Sequence, residues 1–402
     1  MNVIFLTMSH VLSVKERGIY ADLMRKFRDH GHAVYMVSSS ERRFGLQTSL
    51  TKTDGVNVLN VRTLNIQKTN VVEKGLGTLL IERQYKQAIK KHLGDVKFDL
   101  ILYSTPPITL TNVVKYLKKK NPQAVAYLLL KDIFPQNAVD LNMFGKDSLF
   151  YKYFRWKEKD LYRTSDYIGC MSQANVDFVL KHNQWIPKQK VEVAPNSIEL
   201  IDLPVVDRSE MRTKYGLPQN VPVFIYGGNL GKPQGIDYLI RCLDANKERA
   251  DCHFLVVGNG TEYGKIQAWY DGNNGKNVTL LQRLPKEDYD NLVRSCDVGL
   301  IFLDHRFTIP NFPSRLLPYL ENKMPVIAAT DVNTDIGTIA RDNGFGLWCE
   351  SVKVEDFTAC LDEILKDKYK MKQMGEKGYE FLKKNYVTDV TYEIITARVN
   401  KN

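Results

Sequence analysis

Apolar residues along the chain fall into short runs of strand length, separated by longer segments in which apolar positions recur every three or four residues. Residues 3–7 form the first such run, residues 19–30 carry helical spacing, and residues 33–37 form a second run, so the chain opens as a β-α-β unit. The Gly31-His32 pair behind the helix supplies a position that can turn left-handed and return the chain to the sheet. Further strands are predicted at residues 56–61, 100–103, 124–130, 167–171 and 191–194, with helical patterns between most of them. This alternation predicts a parallel sheet covered on both faces, an α/β architecture.

The pattern restarts after a Pro-bearing stretch at residues 198–207, with strands predicted at 223–226, 253–257, 278–281, 298–302 and 325–328. A chain of 402 residues suits two such cores. The expected domains are residues 1–199 and 206–384, with the last helix, 385–402, completing the first domain. In doubly wound sheets ligands bind beyond the carboxyl ends of the strands, which directs attention to the loops that follow them.

Composition narrows the classes. At 44% apolar and 25% charged residues the chain reads as soluble and globular, and no apolar run approaches the ~20 residues of a membrane-spanning helix. Residues 3–7 are too short and too soon followed by charge for a secretory signal, so a cytoplasmic location is expected. The six cysteines show no Cys-x-x-Cys pairing or zinc spacing and read as buried, reduced thiols. Residues 1–200 carry 30 Lys and Arg against 18 Asp and Glu, while residues 201–402 carry 26 against 28. The first half is therefore expected to face something anionic, either a phospholipid surface, a phosphate-bearing acceptor or nucleic acid. No recognised nucleic-acid motif accompanies the charge, so nucleic acid is not an expected partner.

Candidate chemistry lies in the loops. The segment YGGNLGKPQGID, residues 226–237, places Gly227, Gly228 and Gly231 between a strand and a helix, where backbone N–H groups could hold a diphosphate. An ordinary tight βα turn is the competing reading. Gly258 and Gly260 close the next strand, and Arg283 and Leu284 follow the one after, positioned to read a nucleobase. Asp132 and Lys131 follow the strand at 124–130, and the loop at 13–18 brings Arg17 and Gly18 to a strand end where they could meet donor phosphates or acceptor. The stretch LFYKYFRWKEKDLYR, residues 149–163, interleaves aromatic and basic residues at helical spacing. Packing of its aromatic face into the core is the expectation, and an anionic bilayer surface is the alternative.

The order GGNLGKPQGID, FLVVGNG, SCDVGLIFL and PSRLLPYLENKMPVIA resembles the donor domain of family-4 retaining glycosyltransferases. RGIYADLMRKFRDHGHAVYMVS, KDIFPQNAVDL and VAPNSIEL resemble that family's opening helix and strand, its acceptor-side Asp-x-x-Pro segment and its Pro-Asn interdomain element. The resemblance covers nearly the whole chain and is nearest to the amino-sugar and fucosamine transferases of bacterial surface-polysaccharide synthesis. It implies a GT-B fold, two Rossmann-like domains facing across an interdomain crevice, with acceptor on the first and donor on the second. The implied reaction moves a sugar from a nucleotide-diphosphate donor, a UDP-sugar, to a saccharide acceptor with retention of configuration. The acceptor would ride on a polyprenyl pyrophosphate at the inner face of the cytoplasmic membrane, in capsule, O-antigen or exopolysaccharide synthesis, and no metal or other cofactor would be required.

Carried onto this sequence, the family's phosphate-gripping Arg and Lys fall at Asn229 and Gln234, both neutral, which leaves Lys232 or Arg315 to supply the cation. The family's two glutamates fall at Pro310 and Pro318, with Glu321 one helical turn on as the substitute for ribose binding. Pro318 is compatible with a helix if Ser314 caps it. Asp132 is implied as the catalytic or acceptor-orienting carboxylate, and Lys131, where many members have His, as a phosphate contact. A non-catalytic GT-B subunit and a nucleotide-sugar epimerase are the alternatives.

Overall fold

A computed structural model describes residues 1–66, 71–273 and 276–400. The chain divides into two compact units, Met1–Glu199 with Tyr386–Asn402, and Leu200–Asn385. The first holds eight strands: β1 (Asn2–Leu6), β2 (Ala33–Glu41), β3 (Ser49–Thr53), β4 (Val56–Thr63), β5 (Leu100–Ser104), β6 (Val125–Leu130), β7 (Tyr167–Cys170) and β8 (Val191–Val193). Their order is β3-β4-β2-β1-β5-β6-β7-β8, parallel throughout except for β3 against β4. Every residue of β5 and β6 is buried, which is why LILYS and VAYLLL read as unbroken runs without alternation. The edge strand β3 lies outside the predicted set. Asp54 and Gly55, both at positive φ, make the two-residue turn that folds it back on β4.

Helix Ile19–Asp29 lays Leu23, Met24 and Phe27 onto the core beneath β1 and β2. It ends where Gly31, at φ +76°, returns the Gly31 N–H to the Arg28 carbonyl. The last helix, Thr388–Val399, packs on the same unit: Tyr392 meets Phe27 edge-on at 4.9 Å, Ile395 joins the core, and Arg398 pairs with Glu192 at 2.5 Å.

Helix Leu149–Thr164 starts at Ser148, whose side chain accepts the Tyr151 N–H at 3.1 Å. Its buried face is Lys157, Glu158, Leu161 and Tyr162. The expectation that its aromatic face packs into the core holds for Tyr162, fully buried, and for Phe154, which meets Phe134 at 5.0 Å, and is corrected for Phe150, 69% exposed, and Trp156, 54%, which lie near Leu149 at 82%. One face suffices to cover the sheet, and these side chains lie on the other.

The second unit holds β9 (Val223–Asn229), β10 (His253–Asn259), β11 (Val278–Leu281), β12 (Val298–Phe302), β13 (Val326–Thr330) and β14 (Gly346–Glu350), all parallel, in the order β11-β10-β9-β12-β13-β14. The order reverses between β9 and β12, the point at which a doubly wound sheet opens a ligand crevice. The unit's core gathers Phe224, Tyr226, Phe254, Leu300 and Phe302 with Leu239 and Phe357 from the covering helices. β14 was not among the predicted strands. Its sequence GLWCE includes half-exposed positions and lacks the continuous apolar run that marks the inner strands.

Candidate functional site

At the carboxyl end of β9 the polypeptide is packed too closely for side chains. A Cβ on Gly258 would stand 1.8 Å from the Gly228 carbonyl oxygen, and one on Gly260 would stand 2.3 Å from the Leu230 carbonyl oxygen. Both glycines thus serve the contact between β9 and β10.

Several N–H groups expected to face a diphosphate are already spent within the loop. Gly227 donates to the Tyr319 hydroxyl (3.2 Å), Leu230 to the Asn259 carbonyl (3.0 Å) and Gly231 to the Gln234 side-chain oxygen (3.2 Å). Asn229 and Gln234, which stand where the resemblance puts two cations, bond to one another instead, Nδ2 to Oε1 at 3.0 Å. They brace the turn.

Arg315 is different. Its guanidinium lies over the Tyr226 ring, 4.3 Å from the centroid, and a Cβ on Gly228 would meet its Nη2 at 3.6 Å. Nη1 is buried with no hydrogen-bond partner, and among the described residues no carboxylate pairs with this side chain. A half-buried cation with its inner nitrogen unbonded and no acid beside it among the described residues, next to a glycine at the sheet's reversal point, is a ready receptor for an anion.

Two further tyrosines complete this corner. Tyr319 donates to the Ile225 carbonyl at 3.2 Å while accepting from Gly227, and the Tyr289 hydroxyl occupies the space a Gly227 side chain would fill, 1.9 Å from the ideal Cβ. Burial pushes the Tyr289 hydroxyl up to about 12. None of Tyr226, Tyr289 and Tyr319 was singled out from sequence; a phenol in an otherwise apolar segment is the faint signal left by Tyr226 and Tyr319, and Tyr289, between Asp288 and Asp290, left none.

Lys232 is exposed and carries no ion pair among the described residues, and the same holds for Arg283; Leu284 beside it is half-buried. Ser314 is exposed and does not cap the helix Leu316–Glu321. Arg315 occupies the cap position, and the Ser314 carbonyl accepts from Leu317. Pro318 still falls in the first turn, where its missing N–H costs no bond. Glu321 closes the helix and is buried at 7% exposure, with interactions of its own, a poor position from which to reach a ribose. The one Asp-x-Asp triplet of the chain, Asp288-Tyr289-Asp290, sits in the helix Lys286–Arg294 with its carboxylates on Lys214 (3.0 Å) and Lys286 (2.7 Å).

In the first unit, Thr105 at the end of β5 organises the turn after β6. Its hydroxyl accepts the N–H groups of Lys131 (2.9 Å) and Asp132 (3.2 Å). The Asp132 carboxylate accepts from Asn137 Nδ2 at 2.9 and 3.0 Å and from the Ile133 backbone N–H, and it pairs with no cation among the described residues. Burial outweighs those bonds and pushes its carboxyl up to about 6. Burial pushes the neighbouring Lys131 amine down to about 7, and it too lacks a counter-ion among the described residues. Such groups titrate near neutrality and suit proton handling or anion contact.

Arg17 and Gly18 are used otherwise than the sequence suggests. Arg17 Nη2 donates to the Glu199 carbonyl at 2.6 Å, and the Gly18 N–H donates to Asp22 Oδ1 at 2.9 Å. Buried Asp22 also accepts the Glu199 N–H (3.1 Å) and pairs with Arg25, which holds the Glu199 carboxylate at 2.7 Å. These residues tie the loop at 13–18 to the end of the first unit.

Residues 207–381 match the family model for glycosyl transferases group 1. The chain is 23% identical over 339 residues to the probable glycosyltransferase WbjE of Pseudomonas aeruginosa, covering 80% of each chain. It is also 23% identical over 163 residues to the putative colanic acid biosynthesis glycosyl transferase WcaI of Escherichia coli K12, over 40% of this chain and 39% of that one. Among solved structures, Anabaena Alr3699/HepE superposes over the full length of both chains, with a TM-score of 0.70 at 14% identity in complex with UDP and 0.69 at 15% with UDP-glucose. The second unit is thus similar to the glycosyl transferases of group 1, and the chain as a whole has the GT-B fold.

Proposed function

We propose that this glycosyltransferase takes its sugar from a nucleotide diphosphate, a UDP-sugar, with the diphosphate seated against Arg315 at the end of β9. The observation that carries the reading is the Arg315 guanidinium, stacked on Tyr226, beside Gly228, with a buried nitrogen that no protein atom satisfies. As the bond from sugar to diphosphate breaks, negative charge grows on the departing phosphate. A fixed cation there stabilises the transition state more than the ground state. Lys232, exposed on the same loop, adds a second positive charge without calling on a metal. The UDP and UDP-glucose complexes of HepE support the choice of base.

The acceptor is a saccharide on a phosphate-bearing lipid, and the first unit receives it. Asp132 orients the incoming hydroxyl and Lys131 meets the phosphate, in keeping with their near-neutral titration and the cation excess of residues 1–200. The WcaI name supports a surface polysaccharide as the product class. Retention of anomeric configuration belongs to this reading.

A non-catalytic subunit is the second reading, favoured by Asn229 and Gln234 bonding to each other and by prolines at 310 and 318. Incubation with UDP-glucose, UDP-N-acetylglucosamine and their galacto epimers, with a lipid-linked saccharide extract, decides between them. Sugar incorporation that disappears in Arg315→Ala and Asp132→Asn supports transfer. UDP-sugar interconversion without incorporation points to an epimerase, and no turnover of any donor points to the subunit.

A further inference from the structure

We propose that the outer face of helix Leu149–Thr164 docks the chain onto an anionic phospholipid bilayer. This gives a surface to the lipid-linked acceptor proposed above and rests on that reading for its purpose. With 3.6 residues to the turn, Leu149, Tyr153 and Trp156 form one outward stripe with Phe150 at its side, and Lys152, Lys159 and Arg163 form the stripe beside it. The apolar members are exposed at 82%, 38%, 54% and 69% for Leu149, Tyr153, Trp156 and Phe150, a concentration that a single helix face in water does not need.

The cations are equally unspent. Lys152, Lys159 and Arg163 make no ion pair among the described residues, and Arg163 instead lies over the half-exposed Trp185 ring at 4.9 Å. The acid that shares the face, Asp160, is already neutralised by Lys115 at 2.8 Å. The face therefore presents aromatic rings and net positive charge side by side, the pattern that seats a helix among headgroups. Rings enter the acyl boundary while Lys and Arg stems reach back to phosphate. No helix among the described residues is long and apolar enough to cross a membrane, so such a face would act by lying on the surface.

The test is co-sedimentation of the full chain with phosphatidylcholine vesicles and with vesicles holding roughly 30% phosphatidylglycerol, where each surface cation contributes about fivefold in partitioning. Wild type is expected to bind the anionic vesicles and not the neutral ones, and to be released by high salt. Phe150→Ser/Trp156→Ser and Lys152→Glu/Lys159→Glu/Arg163→Glu should each weaken binding at least tenfold, with far-UV circular dichroism unchanged. Equal binding by wild type and both variants places the membrane surface elsewhere. Absence of vesicle binding, or a dimer that the serine variant dissociates, overturns the proposal in favour of a soluble face or a second copy. UDP titration of the same proteins separates the two readings. Vesicle binding without UDP binding removes the donor site alone, and the reverse removes the docking face alone.

Discussion

The guanidinium of Arg315 stacks over the ring of Tyr226 at 4.3 Å, and the Tyr226 hydroxyl donates onward to the Asn229 carbonyl at 3.0 Å. The cation is thereby coupled to the glycine turn through one phenol. Tyr226→Phe keeps the stacking and loses the bond, so urea unfolding should show a loss of about 1 kcal/mol while UDP affinity stays within about threefold. A large loss of affinity with no loss of stability would mean that the hydroxyl, not the ring, serves the ligand.

Gln234 accepts from both Asn229 and Gly231. Gln234→Ala leaves those donors to water. Amide exchange at Gly231 should accelerate by about fivefold, since a bond worth about 1 kcal/mol is removed. Unchanged protection would show that the turn is held by its backbone alone.

Gly258 and Gly264 make a contrast. The first has the Gly228 carbonyl 1.8 Å from its ideal Cβ, and the second, in helix Tyr263–Asn273, has nothing within 4 Å. Gly258→Ala should force β9 and β10 apart and destabilise the second unit by about 3 kcal/mol or more, whereas Gly264→Ala should be neutral or stabilising by up to about 1 kcal/mol. Similar melting temperatures for the two variants would contradict the packing described.

Lys131 and Asp132 give opposite pH signatures. The Lys131 amine loses its proton near pH 7 when folded, against an ordinary 10.5, so between those values the unfolded chain binds more protons and stability rises with pH. The Asp132 carboxyl titrates near pH 6 when folded, against 3.8, so stability falls as pH rises from about 4 to about 6. Lys131→Met should flatten the alkaline slope and raise the melting temperature at pH 8 by a few degrees, and Asp132→Asn should flatten the acid slope. Melting curves from pH 4 to 10 check both.

The fold class was legible because inner parallel strands such as β5 and β6 must be apolar at every residue, and their runs stand out. β3 was illegible for the converse reason. Its residues are mostly exposed, and only Asp54-Gly55 marked its turn. Of the candidate site, the Gly-rich turn could be read from local spacing, and Arg315 only through the resemblance, as a replacement for the cations missing at Asn229 and Gln234. The use of Arg17 on Glu199, separated by 182 residues, could not, nor could the ring of tyrosines, whose meeting depends on how the helices Lys286–Arg294 and Leu316–Glu321 pack. The outward turn of Phe150 and Trp156 was missed because helical spacing shows that a stripe exists without showing which side of the helix the sheet occupies.

Calorimetric titration with UDP of wild type against Arg315→Ala tests the central claim. The account predicts measurable binding by wild type and a loss of about tenfold to a hundredfold in the variant, as expected for removal of a charge-assisted bond to phosphate. Equal affinity in the two proteins, or no binding by either, would contradict the assignment of Arg315 as the diphosphate receptor.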